Sequence, residues 1–254
     1  MGLLNTTNLK SLIEIIPHNT IVTAKWLQQN GVSRQLLLKY KQGNWFEKLT
    51  NGVFVKIGDN ADLDGAIYAL QRQLNLSIHI GGISALNNYY GITHNISYSD
   101  KNTQLFGFRS EKLPKWFKTL YGINTQLNCT TFLPKDIGLV EIQTGDFKIK
   151  VSTLERAVLE MLYLVPEKIM PNEAYQIIEL LITVKPKEFQ LLLEKCSSVK
   201  VKRLFLYLAE LSDHSWFKRL DLSKIDLGKG VREITKGGKH NSKYNIIIGN
   251  VKNI

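Results

Sequence analysis

Three breaks, at Pro17, Asn30-Gly31 and Asn51-Gly52, cut the first sixty residues into short pieces, and that punctuation constrains the fold more than any other feature. Leu9, Leu12, Ile13 and Ile16 recur at i, i+3, i+4 and i+7, the stripe of an amphipathic helix. Pro17 ends it, because proline has no N–H to donate and disfavours helix at its predecessor. Thr23 is the expected N-cap of a second helix with Trp26 and Leu27 facing inward, and Gly31 supplies the left-handed residue that closes it. Only Val32 then precedes Ser33, the expected cap of a third helix running from Arg34 to about Gln42. Two short helices joined through so tight a turn have the spacing of a helix-turn-helix. Trp45 to Leu49 and Val53 to Ile57 are β-prone runs around Thr50-Asn51-Gly52, and Asn-Gly predicts a hairpin with positive φ at both turn positions. A hairpin after such a pair makes a wing, so residues 1–58 are expected to form a winged helix-turn-helix DNA-binding domain.

The chemistry of the third helix suits a DNA groove. Arg34 and Gln35 fall at its N-terminal end beside the capping Ser33, where base edges are usually met, and Lys39 and Lys41 follow. Arginine donates to guanine O6 and N7 and glutamine pairs with adenine, whereas lysine more often meets phosphate. Lys48 and Lys56 are expected on the wing, in reach of backbone phosphate. A winged helix that serves protein contacts alone is the alternative.

Charge is distributed unevenly. Residues 1–60 carry 7 basic and 3 acidic side chains, residues 61–184 carry 11 and 12, and residues 185–254 carry 15 and 7, giving +4, −1 and +8. Basic ends around a balanced middle are the footprint of a chain that touches a polyanion at two places, although charge alone also fits a solubilising surface.

The remainder reads as α+β. Asp62 to Leu74 is an amphipathic helix, Ser77 to Ile80 a strand, and Gly81-Gly82 a tight turn into a short helix from Ser84, since the spacing of a dinucleotide-binding fingerprint is absent. Strands are expected at Thr103 to Phe108, Gln126 to Phe132, Leu139 to Gln143 and Phe147 to Val151. Ser152-Thr153-Leu154-Glu155 is a capping box that opens a helix ending before Pro166. Asn172 to Val184, Pro186 to Cys196 and Val199 to Leu211 predict a C-terminal helical bundle, followed by a Gly-rich basic tail with strands at Val231 to Ile234 and Tyr244 to Ile248 as a terminal β-hairpin. The expected parts are thus residues 1–58, a mixed α/β middle at 59–151 and a helical region at 152–254, with 59–254 alternatively one domain.

Several chemistries are disfavoured. Cys129 and Cys196 have no second ligand nearby, which excludes a zinc finger or disulfide framework. No apolar run approaches membrane-spanning length and no signal peptide opens the chain, so it is read as cytoplasmic. The match of Met1 to Thr6 to a myristoylation pattern is read as coincidence. Asp136 and Glu141 with Lys148 or Lys150 outline a metal-dependent nuclease, but Gln143 occupies the position where such sites place a lysine. His79 and His94 with Asp62 or Asp64 make a weak metal set. No enzyme activity, metal or cofactor is expected.

The order of these motifs resembles the AbiEi antitoxins of type IV toxin-antitoxin systems, over nearly the full chain. Ile21 to Leu27, Gly31-Val32-Ser33 and Leu49 to Val55 resemble the family's winged helix. Gly65 to Gln71, His79 to Leu86, Tyr90-Gly91 and His94 resemble its middle signature, and Ser152 to Ala157, Asp226-Leu227-Gly228, Gly237-Gly238 and Lys243-Tyr244 its C-terminal part. The resemblance implies a repressor that binds inverted repeats in its own operon and an antitoxin that counters a nucleotidyltransferase-like toxin without a stable complex. It implies DNA contacts in the winged helix, at Arg34, Gln35, Lys39, Lys41 and Lys48, and in basic C-terminal residues, at Lys229, Arg232 and Lys239.

Overall fold

A computed structural model describes residues 9–92 and 102–252. His94 and the stretch Met1 to Thr6 lie outside the described residues. The first elements are α1 (Leu9–Ile15), β1 (Val22–Thr23), α2 (Ala24–Gln29), α3 (Arg34–Gln42), β2 (Phe46–Thr50) and β3 (Val53–Lys56). The caps fall where side-chain chemistry places them: Thr23 Oγ1 accepts from Trp26 N–H at 3.2 Å and Ser33 Oγ from Leu36 N–H at 3.1 Å. Gly31, at φ 84°, turns the chain between α2 and α3. The three strands form an antiparallel sheet in the order β1-β3-β2, and β1 is a short strand that the sequence reading passed over. The hairpin departs from expectation in its turn. Of Asn51 and Gly52, which join the paired Thr50 and Val53, only Gly52 takes positive φ, and the register shifts just before them, between Lys48 and Thr50. Leu12, Ile16, Val22, Leu27, Val32, Tyr40, Phe46 and Phe54 close one core, against which Leu36 and Leu37 pack.

Next come α4 (Leu63–Tyr68), β4 (His79–Ile80), α5 (Gly82–Tyr90), β5 (Thr103–Phe108), α6 (Lys115–Tyr121), β6 (Thr125–Thr130), β7 (Leu139–Thr144) and β8 (Phe147–Ser152). The helix expected over Asp62 to Leu74 changes at Ala69 into a wider π turn, Ala69–Gln73. There Gln73 leaves the helix surface to bond β1, accepting from Thr23 N–H at 2.9 Å and donating to Ile21 O at 2.6 Å. The strand expected from Ser77 starts only at His79, because the Ser77 N–H and hydroxyl both donate to the Glu111 carboxylate, at 2.7 and 2.6 Å. A five-stranded sheet runs β6-β5-β4-β8-β7, with β4 parallel to β8 at Ile80↔Val151.

The chain continues through α7 (Leu154–Tyr163), α8 (Pro171–Glu179), α9 (Pro186–Lys195) and α10 (Val199–Leu211), then β9 (Arg232–Glu233), β10 (Lys239–Asn241) and β11 (Ile246–Ile248). Helix α8 stops short of Val184, where side chains meet the carbonyls at and just past its end: His214 Nε2 lies 2.8 Å from Ile178 O, and Trp216 Nε1 donates to Leu181 O at 2.7 Å. The tail is not the simple hairpin expected. Its sheet runs β10-β11-β9, with β10 antiparallel to β11 and β9 parallel to it. The cause is Arg203 on α10, 2% exposed, which donates to the carbonyls of Leu227, Gly228, Gly230 and Asn245 and so fixes the chain on both sides of the turn.

The molecule is therefore a mixed α+β protein, with ten α-helices and three sheets among the described residues. Its compact units are not consecutive blocks: one takes residues 1–79, 110–126 and 141–150, the other 80–109, 127–140 and 151–254.

Candidate nucleic-acid interface

On α3 the spacing of about 100° per residue separates two faces. Leu36, Leu37 and Tyr40 turn to the core, while Arg34, Gln35, Leu38, Lys39 and Gln42 are exposed and Lys41 is half-buried at the edge. Tyr40 meets Phe46 of β2 with ring centroids 6.4 Å apart, which sets the helix against the hairpin. Ser33 spends its hydroxyl on the cap and so fixes the start of the helix. Among the described residues, the side chains of Arg34, Gln35 and Lys39 hold no hydrogen bond or salt bridge. Leu38 and Gln42 belong to the same face and had not been singled out, although helical spacing from Arg34 and Gln35 places them there.

The hairpin separates its two lysines. Lys48 is exposed on β2 and donates to Asn51 Oδ1 at 2.9 Å, at the turn. Lys56 corrects the expectation of a phosphate contact. It is 6% exposed, and its ammonium donates to Ile16 O at 2.8 Å with Asp59 Oδ2 at 4.0 Å. It sits on the central strand of the sheet, β3, whose residues are buried on both faces, so the alternation that would put a polar residue outside fails there.

In the tail, Lys229, Arg232 and Lys239 are exposed, the last two on β9 and β10. Beneath them the buried guanidinium of Arg203 has its acidity raised by desolvation and by the neighbouring positive charge of Arg232. In the same unit Glu160 is fully buried and joins Gly82 N–H, the Ser152 hydroxyl and Arg156 Nε, at 3.2, 2.7 and 2.7 Å. Gly81-Gly82, read as a tight turn, is also a close approach, since a Cβ at Gly81 would stand 2.1 Å from Glu160 Oε2.

Three of the residues raised for metal chemistry are engaged elsewhere. Arg72 Nη2 donates to Glu141 Oε1 at 2.6 Å, Asp62 caps α4 through Gly65 N–H at 2.9 Å, and the buried ring of His79 lies 2.7 Å from Ser77 O. Asp136 is exposed. Among the described residues no group of three or more His, Cys, Asp or Glu is placed to hold a metal ion, and no helix is long and apolar enough to cross a membrane.

A short-helix pair with an exposed cationic face beside a β-hairpin is the equipment of a transcriptional regulator, and comparison with known families agrees. Residues 100–249 match the family described as "Transcriptional regulator, AbiEi antitoxin, Type IV TA system", and residues 5–98 match "Transcriptional regulator, AbiEi antitoxin N-terminal domain". The chain belongs to the AbiEi family of type IV toxin-antitoxin transcriptional regulators. Among solved structures, that of the RV2827C protein from Mycobacterium tuberculosis is similar, with a TM-score of 0.54 and 14% sequence identity over 95% of this chain and 90% of that one. The likeness is one of fold. No curated protein matches the sequence.

Proposed function

We propose that the protein is a sequence-specific, double-stranded-DNA-binding repressor acting in the cytoplasm, whose residues 1–58 form a winged helix-turn-helix with α3 as the recognition helix. The observation that carries this reading is the outer face of α3: Arg34, Gln35 and Lys39 are exposed and unengaged among the described residues, in a chain of a transcriptional-regulator family. Arg34 and Gln35 read base edges, Lys39, Lys41 and Lys48 hold phosphate, and Ser33 sets the register of the helix. Lys229, Arg232 and Lys239 make a second contact with the polyanion. The site is an operator with inverted repeats in the protein's own operon. The same chain is the antitoxin that counters a nucleotidyltransferase-like toxin without forming a stable complex.

Two substitutions separate the roles. Arg34→Ala is expected to weaken binding to the preferred site by about 1–3 kcal/mol and to relax specificity there. Lys48→Ala is expected to weaken binding to all sequences alike and to lower the slope of log K against log salt by about one unit. Equal losses on preferred and arbitrary duplexes for both variants would refute these assignments. For the antitoxin role, co-expression with a toxin of the nucleotidyltransferase class should restore growth while the two proteins elute separately on gel filtration.

A further inference from the structure

The face of α3 contains one side chain that neither charge nor hydrogen bonding explains. Leu38 is 57% exposed, while its chain neighbours Leu36 and Leu37 pack on the core. It stands at i+4 from Arg34 and i+3 from Gln35, the spacings at which helical side chains are neighbours, with Gln42 a further turn along. Long side chains of a helix lean toward its N-terminus, so the isobutyl group of Leu38 covers the turn that carries Arg34 and Gln35. An apolar group there cannot serve phosphate, and the helix would gain as much from any good helix former.

We infer that Leu38 is a specificity-determining residue that recognises thymine through its 5-methyl group. This inference rests on α3 being the recognition helix. In the major groove the thymine methyl is the one apolar feature that any base presents, and it tells T·A from C·G and from A·T by contact. Arg34 and Gln35 supply donors for guanine and adenine edges, so the three side chains together read polar and apolar features of adjacent base pairs. The gain comes from removing the methyl and the leucine from water.

Replacing thymine by uracil removes that methyl and leaves the hydrogen-bonding edge unchanged, which gives a direct test. Duplexes are enriched from a random pool with the full-length protein, and each thymine of the preferred duplex is replaced singly by deoxyuridine. At one thymine per half-site the wild type is expected to bind about fourfold more weakly, the effect of burying one methyl group. Leu38→Ala is expected to bind the thymine and uracil duplexes equally, and Leu38→Met, which keeps an apolar side chain, to restore part of the difference. Circular dichroism should show both variants folded as the wild type. If uracil is tolerated at every position, or if Leu38→Ala remains as sensitive as the wild type, the inference is overturned while DNA recognition by α3 stands. If no duplex is enriched, the reading of α3 as a recognition helix fails and this inference with it.

Discussion

Arg34 and Arg203 carry the same guanidinium in opposite surroundings. Arg203 is sealed in, with four backbone carbonyls on its donors. Arg34 stands in solvent at the first turn of α3, with no salt bridge or hydrogen bond among the described residues. A cation that holds a fold together must have its donors satisfied, since an unsatisfied buried charge is heavily penalised. A cation meant for a ligand is better left solvated and free, because any internal partner would have to be given up on binding. The +11 net charge of the chain therefore mixes two populations, and only contacts tell them apart.

The largest effects are expected where a saturated group loses its partner. Glu160→Ala leaves the Arg156 guanidinium buried without its carboxylate and should lower stability by about 3–5 kcal/mol, read from denaturant midpoints. Arg203→Met should cost about 3 kcal/mol by stranding tail carbonyls, and hydrogen exchange should show the faster opening confined to residues near 227–248. A uniform rise across the protein would contradict a local role for Arg203. The two lysines of the hairpin sharpen the contrast. Lys56→Ala should lower stability by about 1–2 kcal/mol with the salt dependence of DNA binding unchanged, whereas Lys48→Ala should do the reverse.

A further expected effect is alkaline. Burial raises the Cys196 thiol from 9.0 to about 11, and burial likewise raises the phenols of Tyr90, Tyr121 and Tyr175 from 10.0 to about 12. Above the ordinary values the unfolded chain releases these protons while the folded chain keeps them. Stability is therefore full below about pH 8, begins to fall as the unfolded Cys196 thiol titrates, and goes on falling as pH climbs toward 12. Cys196→Ala should remove the earliest part of that fall, measured as the denaturation midpoint between pH 8 and 10.

The segment that bears the proposed site was the most legible part of the sequence, because its limits are written in local chemistry. Thr23, Gly31, Ser33 and Asn51-Gly52 act within a few residues of where they stand, and α3 spans the expected Arg34–Gln42. What the sequence hid depends on partners distant along the chain. Lys56 looks like a wing residue until Ile16 and Asp59 are seen to enclose it. Counting charge in consecutive blocks assigned residues 110–126 to a neutral middle, yet they group with the N-terminal residues, where α6 presents exposed Lys115 and Lys118. That helix was missed although Phe117, Leu120 and Tyr121 follow Pro114 at helical spacing. The parallel pairing of β9 with β11 was equally invisible, since it follows from Arg203, some thirty residues upstream.

The most direct test of the central claim is a titration of the purified protein against the duplex upstream of its own operon and a shuffled duplex of the same length and composition, at about 150 mM salt. The account predicts a preference of about a thousandfold or more for the upstream duplex, within the range of specific over non-specific binding. Equal affinities, falling together with salt, would contradict it, because α3 would then be a generic cationic surface and not a reader of sequence.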